Sequence, residues 1–156
     1  MKEINGDLIK MAREGHFDII IHGANCFCKM RRGIAKQVSE EIPDAVRADN
    51  LTNSGDINKL GNFTVGVIND YNNKPISKIY NCYSQYTWDS SAKPLDYEAL
   101  TLCLRKINHS NKGKNIGVPL IGAGLAGGDW DIIKKIVENE LKDMDVTIVK
   151  FDKEKI

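Results

Sequence analysis

Neither sign of charge dominates this chain: 22 Lys and Arg stand against 21 Asp and Glu, a formal net charge of +1 at pH 7. Such a balance sets up no global field to draw in polyanions, so nucleic acid is not the expected partner. Long apolar runs are missing too. No segment approaches the roughly 20 apolar residues of a membrane-spanning helix, and the start, Met1-Lys2-Glu3-Ile4-Asn5-Gly6-Asp7, carries no apolar stretch behind its basic residue. A soluble, cytoplasmic protein with no membrane partner is the expectation. Cysteine is sparse, at four residues: Cys26, Cys28, Cys82 and Cys103. Without a secretory signal these are expected as free thiols, because reducing compartments disfavour disulfides. Cys26-x-Cys28 lacks the second pair that a four-ligand zinc site usually takes, so no metal and no other cofactor is expected.

What the chain does have is alternation. Its 42% hydrophobic content over 156 residues supports one core of ordinary size, hence a single domain over residues 1–156. Phe17-Asp18-Ile19-Ile20-Ile21-His22 is a β-branched run ending at Gly23, the pattern of a strand buried on both faces and central in a parallel sheet. Residues 33–41 place Ile34, Ala35 and Val38 at helical spacing, and Pro43 stops that helix. A second short helix fits residues 43–52. Strands are expected over 62–68, 77–83, 115–120 and 146–151, the last closing the sheet, and helices over 95–107 and 129–141, with Asp129 as the N-cap of the latter. Helices therefore cover both faces of a mixed, mostly parallel sheet, and ligands of such sheets bind at the carboxyl ends of the strands.

Two segments at strand ends carry chemistry. Pro119-Leu120-Ile121-Gly122-Ala123-Gly124-Leu125-Ala126-Gly127-Gly128-Asp129-Trp130 sets a glycine-rich loop between a strand and a helix. Glycine allows positive φ and close approach, and successive amides at a helix start form a donor concavity for phosphate. The bland alternative is a tight turn that only needs flexible geometry. Read literally, Gly122-x-Gly124-x-x-Gly127 matches a dinucleotide fingerprint, with Asp152 as the ribose acid. That fingerprint normally opens the first βαβ unit of a larger sheet, whereas here almost nothing follows the next strand. The other segment, His22-Gly23-Ala24-Asn25-Cys26-Phe27-Cys28-Lys29-Met30-Arg31-Arg32-Gly33-Ile34-Ala35, leaves the buried strand and enters a helix. Asn25 can offer a carboxamide donor and acceptor to vicinal hydroxyls, and the Gly33 and Ile34 amides can face phosphate; Asn25 is equally at home as a turn residue. Lys29, Arg31 and Arg32 form a basic cluster suited to phosphate or to a solvated face. Tyr86 and Trp88 suit either a sugar pocket or packing beneath a loop.

In these motifs the chain resembles the macro domain family. Its ADP-ribose-binding members have a strand ending in Asn, a Gly-Ile-Ala helix start, a second loop like Ser-Ala-Gly-Ile-Tyr-Gly, an early Gly-Asp-Ile and a late aromatic. Here these stand as Asn25, Gly33-Ile34-Ala35, Gly122 to Gly127, Gly6-Asp7-Leu8 and Phe151. The resemblance implies a three-layer α/β/α sandwich with a central mixed sheet of six strands. It implies ADP-ribose or a derivative as ligand or substrate, with ADP-ribosylated protein as a possible partner. By the same resemblance Asp7 accepts from the adenine amino group, Leu8 gives a backbone contact, and Phe151 stacks on adenine. The diphosphate meets Gly33, Ile34, Gly122, Ala123, Gly124, Leu125, Ala126 and Gly127.

His22 and Tyr83-Ser84-Gln85-Tyr86 are similar to the branch with a yeast ADP-ribose-1''-phosphate phosphatase and the terminal ADP-ribose protein glycohydrolase. That similarity implies removal of a group from the terminal ribose, with His22 as general acid or base, Asn25 orienting the ribose and Lys93 as an attacking amine; the bland alternative for His22, which ends an apolar strand, is a histidine hydrogen-bonded in the core. The glycohydrolase has a catalytic Asp where this chain has Ala126. Asp129 is then the substitute acid, or the chain is a reader that binds ADP-ribose without turning it over.

Overall fold

The structure is a computed structural model that describes residues 1–151. Its centre is β2 (Ile19–Asn25). Consecutive strand residues point to opposite faces, and here both faces are apolar. Ile19 and Ile21 join one cluster while Ile20 joins another. The first cluster is completed by Leu100, Leu104 and Ile107 of α4 (Tyr97–Ser110) with Ile133 and Val137 of α5 (Trp130–Glu140). The second takes Leu8 and Ile9 of α1 (Leu8–Arg13), Val38 of α2 (Gly33–Glu41) and Ala45 of α3 (Pro43–Asn50). One sheet between two helical layers is the result, an α/β/α sandwich.

The six strands run in the order β1-β6-β5-β2-β4-β3, adding β1 (Lys2–Gly6), β3 (Phe63–Asn69), β4 (Pro75–Gln85), β5 (Asn115–Val118) and β6 (Asp145–Phe151). Every pairing is parallel except β3 with β4. That exception follows from a tight connection: the Asp70 carboxylate accepts from the amides of Asn72 at 2.8 Å and Lys74 at 3.0 Å, and Asn73 takes φ 63°. A short polar turn can only return the chain antiparallel.

Several boundaries differ from the sequence expectation for local reasons. β2 continues to Asn25, so the key carboxamide belongs to the strand's last residue. β5 stops at Val118, because Pro119 has no N–H for the ladder. The strand over Asp145–Phe151 does not close the sheet: β1, which no sequence pattern marked, lies outside it and pairs with it from Lys2↔Thr147 to Gly6↔Phe151. α4 starts at Tyr97, capped by Asp96, which accepts from the Ala99 amide at 3.0 Å. Leu95 is left to bridge Gln85. Among the described residues no helix is long and apolar enough to cross a membrane.

β2 and β5 pair over only two positions, Ile19↔Ile116 and Ile20↔Gly117. A reciprocal latch holds them at their starts: the Asp18 amide donates to Asn115 Oδ1 at 2.6 Å, and the Asn115 amide donates to Asp18 Oδ2 at 3.0 Å. Beyond that latch the strands part.

The layers meet most tightly at Gly66 of β3. A Cβ there would stand 2.7 Å from the Ala45 nitrogen and 2.8 Å from its Cα, against backbone that cannot turn aside. Gly66→Ala is expected to lower unfolding free energy by about 1–3 kcal/mol, the usual cost of overpacking. Urea denaturation reads it, and an unchanged midpoint would contradict this packing of α3 on β3.

Candidate functional site

The chain leaves β2 toward β3 and β4 by way of α2 and α3, and leaves β5 toward β6 by way of α5. Adjacent parallel strands whose connections run in opposite directions leave a crevice at their carboxyl ends. A cavity of about 740 Å³ lies there. Its walls are residues 23–25 of β2, residues 29–35 and residues 119–126, with Gly6, Leu8, Val149 and Phe151 at one end and Asp49, Gln85 and Trp88 among the rest.

The first loop is braced from several sides. Asn25 Oδ1 accepts from the amides of Phe27 at 2.9 Å and Lys29 at 3.4 Å, and its Nδ2 donates to the Lys29 carbonyl at 2.7 Å. Asn25 is therefore a turn-former that also lines the cavity, and among the described residues one of its amide hydrogens meets no protein acceptor. Phe27 wedges edge-on against Tyr86 and Trp88, with centroids 4.9 and 5.1 Å away. The buried Lys59 Nζ donates to the Cys26 carbonyl at 2.9 Å. The loop ends at Gly33, which has φ 57° and opens α2. The first-turn amides of Gly33, Ile34 and Ala35 have no intrahelical acceptors, and these three residues line the cavity wall.

In the second loop the glycines divide by role. A Cβ on Gly122 would fall 2.8 Å from Leu95 Cδ1, and one on Gly128 would also run into Leu95. A Cβ on Gly127 would meet the Lys93 stem at 2.7 Å. These three glycines let Leu95 and Lys93 pack beneath the loop, and Gly122 and Gly127 also need positive φ, at 74° and 76°. Gly124 has open space where its Cβ would be. The amides of Ala123, Gly127 and Gly128 close internal turns onto Leu120, Gly124 and Gly122. Among the described residues those of Gly124, Leu125 and Ala126 meet no protein acceptor. Consecutive outward amides on a cavity wall make an anion concavity. Lys29, Arg31 and Arg32 line the same cavity, and Lys29 Nζ sits 4.6 Å over the Trp88 ring.

Three expected catalytic side chains stand elsewhere. His22 is fully buried, with Nε2 2.6 Å from Asn81 Oδ1 and Nδ1 unpartnered, and it does not line the cavity. Asn81 in turn donates to the Ala45 carbonyl and to Thr64 Oγ1, both at 3.0 Å. The His22 ring thus belongs to the sheet–α3 interface, because the pleat that sends Ile21 one way sends its neighbour the other. Lys93 is absent from the wall, its stem packed on Gly127. Asp129 is absent too, acting as the α5 N-cap that accepts from the Asp131 amide at 2.9 Å. Gly127 turns behind the wall as well.

At the far end Phe151 is 44% exposed and Leu8 is buried, both on the wall. Asp7 caps α1 by accepting from the Lys10 amide at 3.2 Å. Asp152 lies outside the described residues. The sequence reading missed Asp49, which is 2% exposed, lines the cavity and accepts from the Tyr83 hydroxyl at 2.7 Å. Nothing in the pattern of α3 marks that position as buried. Among the described residues no three His, Cys, Asp or Glu side chains gather to hold a metal ion.

Known proteins share this fold. The macro domain family model matches residues 21–137. An uncharacterised 17.5 kDa protein of Enterobacteria phage T4, from the tk-vs intergenic region, is 32% identical over 157 residues, 97% of each chain. The macrodomain of Mycobacterium tuberculosis DarG superposes with a TM-score of 0.71 at 20% identity over 95% of both chains. Thermosipho africanus DarTG in complex with ADP-ribose superposes with a TM-score of 0.70 at 17% identity, over 99% of this chain and 42% of that one.

Burial holds the His22 ring well below its ordinary value, at about 4, while the Asn81 hydrogen bond pulls the other way. A folded value below the unfolded one means that the unfolded chain binds more protons between about pH 6.5 and 4. Stability is therefore expected to be complete above that window and to fall by about 3 kcal/mol as pH drops through it. Urea titrations at stepped pH should show a shallower decline for His22→Gln than for wild type; parallel declines would contradict the burial of a neutral ring.

Proposed function

The chain belongs to the macro domain family, and from that premise we propose that it binds ADP-ribose or a close derivative and hydrolyses a group from the terminal ribose. The observation that carries this reading is the convergence of two sets of main-chain amides, residues 33–35 and 124–126, on one cavity. A diphosphate placed between them receives donors from both sides. No side chain need be desolvated for this, and Lys29, Arg31 and Arg32 add positive charge to the wall. Adenine then lies toward Phe151 and Leu8, while Asp7, the α1 N-cap, stands off the wall, and the distal ribose lies toward Asn25, whose second amide hydrogen is available to a hydroxyl. ADP-ribose-1''-phosphate and ADP-ribosyl esters on protein are the substrates this orientation favours, since either puts its leaving group at the end away from Phe151. The thiols of Cys26, Cys28, Cys82 and Cys103 are unbridged, in keeping with a cytoplasmic protein.

One observation favours a second reading, a reader that binds without turnover: His22, Lys93 and Asp129 all stand off the wall, and Ala126 leaves the second loop without a carboxylate.

Calorimetric titration with ADP-ribose is expected to give saturable binding. Asn25→Ala is expected to weaken it at least tenfold, about 1.4 kcal/mol. Incubation with ADP-ribose-1''-phosphate and with glutamate-linked ADP-ribosylated protein should release phosphate or ADP-ribose. Tight binding with both substrates unaltered would leave the reader standing, and no binding at all would remove both.

A further inference from the structure

Four titratable side chains line the cavity among the described residues: Lys29, Arg31, Arg32 and Asp49. Asp49 is therefore the sole carboxylate on the wall within that set. Its position along the sheet is informative. It lies in the last turn of α3, the helix that packs on β3 and β4, and its side chain meets Tyr83 of β4. β6, which carries Val149 and Phe151, and β4 flank the β5–β2 pair on opposite sides. At about 4.8 Å per strand the two are roughly 14 Å apart. A ligand with its base at Phe151 and its diphosphate between the loops directs its far ribose toward β4.

The carboxylate is also held as an acid–base group is held. Oδ1 accepts the Tyr83 hydroxyl, and among the described residues no protein donor meets Oδ2. The Asp49 carbonyl accepts from the Cys28 thiol at 3.3 Å and the Thr52 hydroxyl at 2.6 Å, tying the end of α3 to the first loop itself. Burial pushes the Asp49 carboxyl above the usual carboxylate range, while the Tyr83 hydrogen bond and the Lys59 charge draw it back. A carboxyl perturbed in this way on a cavity wall is suited to proton transfer.

We infer that Asp49 is the general base, then general acid, of hydrolysis at the terminal ribose, an assignment that rests on the hydrolytic reading above. The carboxylate takes a proton from water as the water oxygen bonds to C1''. The bond from C1'' to the leaving oxygen breaks with its electron pair going to that oxygen. Asp49 then returns the proton to the leaving group, so one water is consumed and ADP-ribose is released with phosphate or the free acid.

The test compares wild type with Asp49→Asn and Asp49→Glu on ADP-ribose-1''-phosphate and on the glutamate-linked ester. Asparagine keeps an acceptor for Tyr83 but takes no proton. Its turnover is expected to fall roughly 10²–10⁴-fold with ADP-ribose affinity within about threefold of wild type. Glutamate should recover part of the rate. The rise of kcat/KM from acid pH should vanish in Asp49→Asn; Tyr83, Lys59 and Cys28, packed around the carboxylate, and Lys29, Arg31 and Arg32 on the wall remain in both proteins. Turnover by Asp49→Asn at the wild-type rate overturns the assignment while leaving hydrolysis intact. A loss of turnover matched by equal losses of affinity and melting temperature reduces Asp49 to a strut. A wild-type chain that turns over neither substrate overturns the hydrolytic reading, and this assignment with it.

Discussion

Two adjacent parallel strands that pair for two residues and then separate leave main-chain groups at the mouth of the gap with no ladder partner. Buried backbone donors without acceptors are costly, so such a gap is either closed by side chains or kept open to water and a ligand. In this macro domain the Asp18–Asn115 latch decides where pairing begins, and Pro119 decides where β5 can no longer continue it. Between those limits the chain has little choice. The loop after β5 turns through glycines, the loop after β2 turns through Asn25, and both expose amides to the same space.

Keeping that space open demands rigid walls, and the walls are built from packing rather than from the ligand-facing residues. Leu95 fills the volume that side chains at Gly122 and Gly128 would occupy, and the Lys93 stem fills that at Gly127. On the other side Phe27 is held between Tyr86 and Trp88, and Lys59 is buried under the loop to hold the Cys26 carbonyl. A preorganised donor array binds an anion without reordering its own backbone, which lowers the entropic cost of association.

The buried polar side chains of the sheet and α3 form one hydrogen-bonded chain, from His22 through Asn81, Thr64 and Tyr83 to Asp49. His22 and Asn81 join the sheet to α3 through the Ala45 carbonyl, where burial keeps the imidazole neutral. From Asn81 the chain runs on through Thr64 and Tyr83 to Asp49, the one member of it that lines the cavity wall. Strand alternation and the position of one helix end leave one end of that chain buried at His22 and bring the other, Asp49, to the cavity.

Local chemistry in the sequence was enough to mark β2 as a strand buried on both faces, the stop at Pro43, the N-cap at Asp129 and the two loops that make the cavity, because each is written in neighbouring residues. β1 went unmarked: a single apolar Ile4 between exposed residues carries no alternation, and its partner Asp145–Phe151 is more than 140 positions away. Whether His22 and Lys93 reach the cavity, and the place of Asp49 on its wall, were likewise beyond it. A side chain's access to the cavity depends on which way the pleat points it and on which distant residue fills the space beside it. Sequence determined the donors and the turns; only the packing of α3 and Leu95 against the sheet decided which acid faces the space they enclose.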